Sequence, residues 1–168
     1  HISGMSKLNA YFNCQMLMGK ETLAKGLTRK LDHNDEFSLG DLTVKTLYTP
    51  GHTSDSYCFL IAGKLFTGDT LLIGETGRTD FQNGNSVSAY NSLFDLLLKL
   101  PDATVVYPGH DYNGQCKSTI GEEKKSNPRL QVNSQQEYVD MMKNLNLRHP
   151  KKMEVSISRN LRLGKKSS

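Results

Sequence analysis

The sequence predicts a single α/β domain in which helices and strands form separate layers. Short segments rich in β-branched and apolar residues, such as 43–48, 57–61 and 104–107, have the length and composition of strands. Residues 87–100 carry apolar side chains at three- and four-residue steps, which is the pattern of a helix. Because helices and strands do not alternate strictly, the pattern favours a layered α/β domain over a Rossmann sheet.

Length, cysteines and charge limit the class of protein. The 168 residues are enough for one domain, since a chain of this size buries roughly 70% of its unfolded surface. We expect 1–164 to form that domain and 165–168 to form a solvated basic tail. The 3 cysteines lack a Cys-x-x-Cys pair, which fits a reducing compartment. A net charge of +4 is too small to indicate a nucleic-acid partner, and no apolar run reaches the ~20 residues of a membrane span.

The first third of the chain predicts structure but little chemistry. Residues 6–17 mix apolar and polar types and predict a short helix that leads into a buried strand at 14–18. The polar stretch 31–38 predicts a loop in which His33 is a surface residue. Residues 37–42 then predict a hairpin turn that leads into the next strand.

The middle of the chain predicts a buried strand, a functional loop and a long helix. The apolar run 57–61 predicts a strand covered on both faces, with Cys58 as a core residue. The glycine-punctuated stretch 74–85 predicts a long loop, and ordered loops of this length are usually functional. We expect the helix after it to start with Ser86 as N-cap and to stop at Pro101.

The last third of the chain predicts two further helices. Residues 119–126 predict a charged surface helix that is stopped by Asn127 and the proline after it. Ser134 and Glu137 have the spacing of a capping box, which predicts a last helix that extends to about residue 145.

Three short glycine-bearing turns each follow a predicted strand and carry a residue that can bind a metal. They are Thr49–Thr53 with His52, Thr67–Thr70 with Asp69, and Pro108–Tyr112 with His110. Two histidines and one carboxylate form the facial triad of iron(II) oxygenases, whereas a larger ligand set can hold two metals. Each residue alone has an ordinary alternative, because histidines often bond carbonyls and aspartates often cap turns. Three similar turns together predict one shared metal site and leave the metal open.

Five motifs resemble the metallo-β-lactamase superfamily. They are Thr-Pro-Gly-His-Thr (49–53), Phe-Thr-Gly-Asp-Thr (66–70), Gly-Arg-Thr-Asp-Phe (77–81), Tyr-Pro-Gly-His-Asp-Tyr (107–112) and Asn-Pro-Arg (127–129). The last three together resemble the persulfide dioxygenases, the ethylmalonic encephalopathy protein family, which is related to glyoxalase II. The resemblance implies an αββα sandwich. His1-Ile2-Ser3-Gly4 resembles the end of the superfamily's His-x-His-x-Asp-His motif, so we expect part of the N-terminal half, with one iron ligand, before residue 1.

The resemblance implies an iron(II)-dependent dioxygenase that uses O₂ to oxidise glutathione persulfide to sulfite and glutathione. It implies one Fe(II) per chain, with His52 and Asp69 as metal ligands and catalytic residues. Because a third ligand is expected upstream, the chain as printed is expected to be inactive. The resemblance further implies a homodimer, located in the mitochondrial matrix of a eukaryote or the cytoplasm of a bacterium. A targeting segment would lie upstream of residue 1.

Three residues are implied to bind the substrate. Arg78 and Arg129 would pair with the carboxylates of glutathione, because a guanidinium binds a carboxylate through two parallel hydrogen bonds. Tyr112 would contact the cysteinyl portion. The ordinary alternatives are a loop ion pair between Arg78 and Asp80, a helix-end cap for Arg129 and a core position for Tyr112.

Two alternatives to the dioxygenase stay open. His110 and His1 match positions that bind a second metal in glyoxalase II, so a hydroxyacylglutathione hydrolase with two zinc or iron ions is the first. Asp111, where that family usually has glutamate, is expected instead to orient a neighbouring histidine. The second alternative is a non-catalytic domain that binds thiols or a partner subunit.

Overall fold

A computed structural model describes most of the chain, namely residues 2–81, 83–145, 147–148 and 153–165. The chain divides into two compact units. The terminal unit comprises His1–Leu31 and Asn146–Ser168, and the sheet unit comprises Asp32–Leu145. His1 and all but the first residue of the expected basic tail lie outside the described residues. The single domain expected over 1–164 stays a prediction. Within the described residues, no helix is long and apolar enough to cross a membrane.

The elements are short. The strands are β1 (Leu17–Gly19), β2 (Arg29–Leu31), β3 (Glu36–Leu39), β4 (Leu42–Tyr48), β5 (Tyr57–Ile61), β6 (Lys64–Gly68), β7 (Leu71–Leu72), β8 (Glu75–Thr76), β9 (Val105–Pro108) and β10 (Ser118–Thr119). The α-helices are α1 (Met5–Phe12), α2 (Ser86–Tyr90), α3 (Ile120–Ser126), α4 (Gln135–Lys143) and α5 (Met153–Asn160). A π-helix (Asn91–Leu96) and two 3₁₀-helices (Leu97–Lys99 and Pro128–Leu130) complete the set.

The sheet unit contains a six-stranded mixed sheet in the order β10-β9-β6-β5-β4-β3. The strands β6 and β9 are parallel, and the other neighbouring pairs are antiparallel. Because two antiparallel steps separate β4 from β6, the chain leaves β4, β6 and β9 at the same edge of the sheet. The layered, non-Rossmann architecture expected from the sequence is therefore confirmed, and the three glycine-bearing turns begin at one edge.

One face of the sheet packs against the helices of the sheet unit. The buried core includes Leu47, Cys58, Leu65 and Val106 from the strands and Leu93, Leu97, Ile120 and Tyr138 from the helices. Cys58 is fully buried as predicted, and burial raises the pKa of its thiol to about 11. The prediction that β5 is covered on both faces is wrong, since Cys58 is its only buried residue. Neighbouring residues of a strand point to opposite faces, and the second face of β5 is half-exposed.

The long predicted helix is confirmed but changes type along its length. It begins as α2, continues as the π-helix and ends as a 3₁₀-helix before Pro101. The N-cap is Asn85, not Ser86, because the Asn85 side chain accepts a hydrogen bond from the Ser88 N–H at 2.9 Å. The Ser86 hydroxyl is instead hydrogen-bonded to the Thr79 hydroxyl at 2.7 Å.

Two predicted loops contain strands. Where a loop was expected at 31–38, β2 ends at Leu31 and β3 begins at Glu36, with Asn34 at a φ of 65° in the turn between them. β3 then pairs with β4, which confirms the predicted hairpin, and His33 is exposed as expected. The stretch 74–85 likewise contains β8, which pairs with β7. Both strands are too short for the period-two pattern to mark them.

The terminal unit contains α1, α5 and the parallel pair of β1 and β2. The buried strand expected at 14–18 begins only at Leu17, and Cys14 is exposed. The helix α5 was not predicted, because its residues lack a regular apolar stripe. Within this unit the Ser6 N–H donates to the Leu163 carbonyl, so its N-terminal and C-terminal segments are hydrogen-bonded to each other.

Candidate metal centre

His52 lies in the turn that follows β4. Gly51 allows this turn because a Cβ added there would lie 2.4 Å from the Cα of Ala89. The Nδ1 atom of His52 lies 2.8 Å from the carbonyl oxygen of Arg78. A carbonyl can only accept a hydrogen bond, so Nδ1 carries the proton and Nε2 keeps a lone pair. This is the arrangement that orients a histidine toward a metal.

Asp69 lies in the turn that follows β6, between the two histidines. Its Oδ2 atom is 3.7 Å from Nε2 of His52, and its Oδ1 atom is 2.5 Å from Nδ1 of His110. The three side chains are 25% to 31% exposed, so solvent and a ligand can reach them. The turn itself is held by the Thr67 hydroxyl, which donates to the Leu71 carbonyl at 2.6 Å.

Two glycines bring the neighbouring loops against Asp69. A Cβ added at Gly77 would lie 1.9 Å from the Asp69 carbonyl oxygen and 3.0 Å from Cβ of His52. A Cβ added at Gly109 would lie 3.0 Å from Oδ1 of Asp69. Only glycine permits this approach of the backbone without a shift of the turn. Gly77 was not among the predicted site residues, although its place at the start of the Gly-Arg-Thr-Asp-Phe motif was a usable signal.

A buried hydrogen-bonded cluster joins the first two turns beneath the site. The Thr49 hydroxyl lies 3.3 Å from the Thr70 hydroxyl and 3.3 Å from Sγ of Cys58. The Cys58 thiol lies 3.6 Å from the Thr67 carbonyl, to which it donates. All four residues are at most 5% exposed. This cluster was not predicted, since the threonines that flank the motifs become neighbours only in the fold.

The donor atoms suit a first-row metal ion. Histidine nitrogen and carboxylate oxygen are both ligands of such ions, and two ligands about 2.1 Å from one metal lie roughly 3 to 3.5 Å apart. The separation of 3.7 Å between Nε2 of His52 and Oδ2 of Asp69 fits a pair on one metal after a small adjustment. Among the described residues, no group of three or more histidine, cysteine or acidic side chains is arranged to hold a metal.

The fold and the turns agree with comparisons to known proteins. The model of the metallo-β-lactamase superfamily matches residues 5–110. The chain belongs to the metallo-β-lactamase superfamily. Its structure superposes on ETHE1 from Myxococcus xanthus with a TM-score of 0.95 and 41% identity, over 98% of this chain and 73% of that one. A metallo-β-lactamase from Staphylococcus aureus matches with a TM-score of 0.88 and 25% identity, over 98% of this chain and 55% of that one. The expected metallo-β-lactamase fold is therefore confirmed.

Sequence relatives include enzymes of both families considered above. Mitochondrial persulfide dioxygenase ETHE1 of Mus musculus and of Homo sapiens is 35% identical over 167 residues, which are 98% of this chain and 65% of each relative. A hydroxyacylglutathione hydrolase of Dictyostelium discoideum is 38% identical over 120 residues, which are 67% of this chain and 44% of that relative. The expected resemblance to persulfide dioxygenases and glyoxalase II is confirmed. The chain spans about two thirds of the length of these dioxygenases.

In this superfamily member, the Arg78 guanidinium is paired within its own loop. Its Nε and Nη2 atoms each donate to the Asp80 carboxylate at 2.7 Å, and these bonds raise the pKa of the guanidinium. The guanidinium also lies 4.3 Å above the Phe81 ring. The ion pair between Arg78 and Asp80, the ordinary alternative to substrate binding, is therefore present. The carbonyl of Arg78, which fixes His52, was not anticipated, because backbone acceptors leave no signal in residue type.

Arg129 is also paired, but with a distant part of the chain. Its guanidinium donates to the Thr76 carbonyl and, at 3.1 Å, to the Glu75 carboxylate. The guanidinium therefore bonds to β8, whereas the cap of its own 3₁₀-helix is the Asn127 side chain, which accepts from the Arg129 N–H. The side chain of Arg129 is 13% exposed, so little of it faces solvent.

The loop after β9 places Tyr112 beside His110. Tyr112 is 74% exposed, so the alternative of a core position is wrong, and its ring stacks on the His110 ring with centroids 6.1 Å apart. Asp111 accepts hydrogen bonds from the N–H groups of Asn113 and Gln115, so it shapes its own loop. The predicted role of orienting a histidine falls to Asp69, not to Asp111. His1 lies outside the described residues.

Proposed function

We propose that the protein is an iron(II)-dependent persulfide dioxygenase that converts glutathione persulfide, O₂ and water to glutathione and sulfite. The observation that carries the proposal is the contact between the His110 ring and the Asp69 carboxylate. The His110 Nδ1 is bonded to the Asp69 carboxylate, which leaves His52 and Asp69 as the pair that faces a single metal position. Similarity to persulfide dioxygenases over 98% of the chain supports the same assignment.

His52 and Asp69 would each offer one donor atom to a single metal. His52 would offer Nε2, because the Arg78 carbonyl holds its ring by Nδ1. Asp69 would offer Oδ2, because His110 occupies Oδ1. When bound, iron(II) would supply adjacent open positions for O₂ and the outer sulfur of the persulfide. The reaction removes four electrons from that sulfur, which matches the four that one O₂ accepts.

The substrate is proposed to approach over Tyr112. This side chain is exposed and stacked on His110, so its ring can contact the cysteinyl portion of glutathione next to the metal position. Arg78 stays a candidate for a glutathione carboxylate, and binding there would require the substrate to replace Asp80. The proposed setting is the mitochondrial matrix of a eukaryote, since two relatives are named as mitochondrial, or the cytoplasm of a bacterium, with the protein as a homodimer.

A binuclear hydroxyacylglutathione hydrolase is the second candidate, favoured by the Dictyostelium relative. This function would require His110 to leave Asp69 and bind a second metal. Metal analysis separates the two, since the dioxygenase requires about one iron per chain and the hydrolase two metals.

The decisive experiment measures both reactions on one sample of the full-length protein reconstituted with Fe(II). We expect oxygen uptake with glutathione persulfide and no hydrolysis of lactoylglutathione. His52→Gln should abolish the uptake, whereas Asp41→Asn, which removes an exposed charge from the turn between β3 and β4, should leave it unchanged. Hydrolysis without oxygen uptake would overturn the proposal in favour of the hydrolase. The absence of both reactions would support the non-catalytic thiol-binding alternative.

A further inference from the structure

We infer that Arg129, with Asn127 and Glu123, is a positioning clamp that holds the Arg78 carbonyl against His52, and that it does not bind substrate. The inference rests on the proposed metal position at His52. It adds that hydrogen bonds from a distant part of the chain hold the backbone that orients this histidine. The clamp acts on the short hairpin of β7 and β8, which directly precedes Arg78 in the chain.

Arg129 and Asn127 bind the backbone of this hairpin at several points. The Arg129 guanidinium donates to the Thr76 carbonyl and to the Glu75 carboxylate, the second at 3.1 Å. The Asn127 amide donates to the Glu75 carbonyl at 3.0 Å and to the Leu72 carbonyl at 3.4 Å. Both strands of the hairpin are therefore held by side chains from one 3₁₀-helix and its cap, more than fifty residues further along the chain.

Glu123 and Tyr138 complete the hold from two other helices. Glu123 is 2% exposed, and its carboxylate accepts from the Gly74 N–H at 3.0 Å and from the Asn127 amide at 2.8 Å. The Tyr138 hydroxyl, which is also buried, is hydrogen-bonded to the Thr76 hydroxyl at 3.0 Å. Buried polar groups that are all paired in this way define one arrangement of the backbone, because any displacement leaves a donor or acceptor without a partner.

The clamped hairpin leads directly into the backbone that touches the metal position. One residue after Thr76, Gly77 packs against the Asp69 carbonyl so closely that an added Cβ would lie 1.9 Å away. One residue later, the Arg78 carbonyl accepts from Nδ1 of His52 at 2.8 Å. The atom that Arg129 binds and the atom that orients His52 are therefore two residues apart. A shift at Thr76 would move both contacts with the metal-binding turns.

The environment of Arg129 disfavours a role in binding glutathione. Its side chain is 13% exposed, and its two terminal nitrogens already donate to Thr76 and Glu75. A substrate carboxylate would have to displace the carbonyl of Thr76, which is 1% exposed, and it would leave this acceptor without a partner in a buried place. Arg78 differs, because it pairs with the half-exposed Asp80 carboxylate, whereas Arg129 also holds the carbonyl of the buried Thr76.

The test compares Arg129→Gln with the unchanged protein in two titrations. Co²⁺ binding, followed by the visible absorption of the bound ion, reports the metal geometry. Glutathione binding reports the substrate site. We expect Arg129→Gln to weaken Co²⁺ binding about 10- to 100-fold, as loss of a residue that orients a ligand does, and to change the Co²⁺ spectrum. Glutathione affinity should change less than about twofold, whereas a substrate-binding arginine predicts about a tenfold or larger loss of a charge-assisted bond.

Lys124→Gln is the matched control, because it removes a cation from α3 whose Nζ atom donates to the exposed Asp102 carboxylate at 2.5 Å. It should leave both titrations unchanged. Glu75→Gln weakens one arm of the clamp at a partly exposed residue and should weaken Co²⁺ binding about threefold, so it replaces Arg129→Gln if that variant does not fold. If Arg129→Gln and Glu75→Gln bind Co²⁺ as tightly as the unchanged protein does, the clamp is overturned and the proposed metal site is unaffected. No Co²⁺ binding by the unchanged protein would overturn both.

Discussion

The turn after β4 and the turn after β9 reach the same edge of the sheet but are built in opposite ways. The first is supported from below by the buried Thr49, and its histidine is fixed by a backbone carbonyl. In the second turn, His110 contacts the Asp69 carboxylate and lies beside the exposed Tyr112. The difference suggests a division of work, because a rigid turn suits a metal ligand and an exposed loop suits an exchanging substrate.

The largest expected effect separates the two histidines directly. His52→Gln should lower Co²⁺ affinity roughly 100-fold or more, since metal sites share ~10–16 kcal/mol among about four ligands. His110→Gln should lower it about 10-fold, because this residue only orients Asp69. Isothermal titration with Co²⁺ measures both. Equal losses for the two variants would mean that His110 is also a ligand, and the comparison between the turns would fail.

A second test inserts one methyl group between the turns. Gly77→Ala would place a Cβ 1.9 Å from the Asp69 carbonyl, so the loop must shift, and we expect a loss of about 3 kcal/mol in the free energy of unfolding. Urea denaturation measures this loss. Gly4→Ala is the control, since an added Cβ there meets nothing within 4 Å. A stable Gly77→Ala variant with unchanged Co²⁺ affinity would contradict the close approach.

The same contrast explains which parts of the site the sequence predicted. His52, Asp69 and His110 were found because each follows a strand within a short motif, and the three strands leave the sheet at one edge. The partners of Arg78 were also within reach, since Asp80 is two residues away. The partners of Arg129 were not, because residues 53 and 54 positions apart become neighbours only through the fold.

The support beneath the first turn predicts a dependence of stability on pH. Burial raises the pKa of Cys58 from 9.0 to about 11, so between these values the unfolded chain loses the thiol proton and the folded chain keeps it. The contribution of Cys58 to stability is therefore complete below pH 9.0 and falls by about 2 to 3 kcal/mol as the pH rises to 11. Urea denaturation across this range should show a steeper loss for the unchanged protein than for Cys58→Ser. Parallel curves for the two proteins would contradict the burial of an uncharged thiol.

The smallest expected effect tests whether the buried hydroxyl of Thr49 matters to the metal position. Thr49→Val keeps the shape of the side chain but removes its bonds to Thr70 and Cys58, which should cost about 1 kcal/mol of stability and lower Co²⁺ affinity about threefold. Thr49→Ser keeps the hydroxyl and should retain most of the affinity, while Thr43→Val makes the same change at an exposed position of β4 and should alter neither quantity. Because the Thr49–Thr70 bond joins the turns of His52 and Asp69, a loss of stability without any loss of Co²⁺ affinity would show that this bond does not help to position the two ligands.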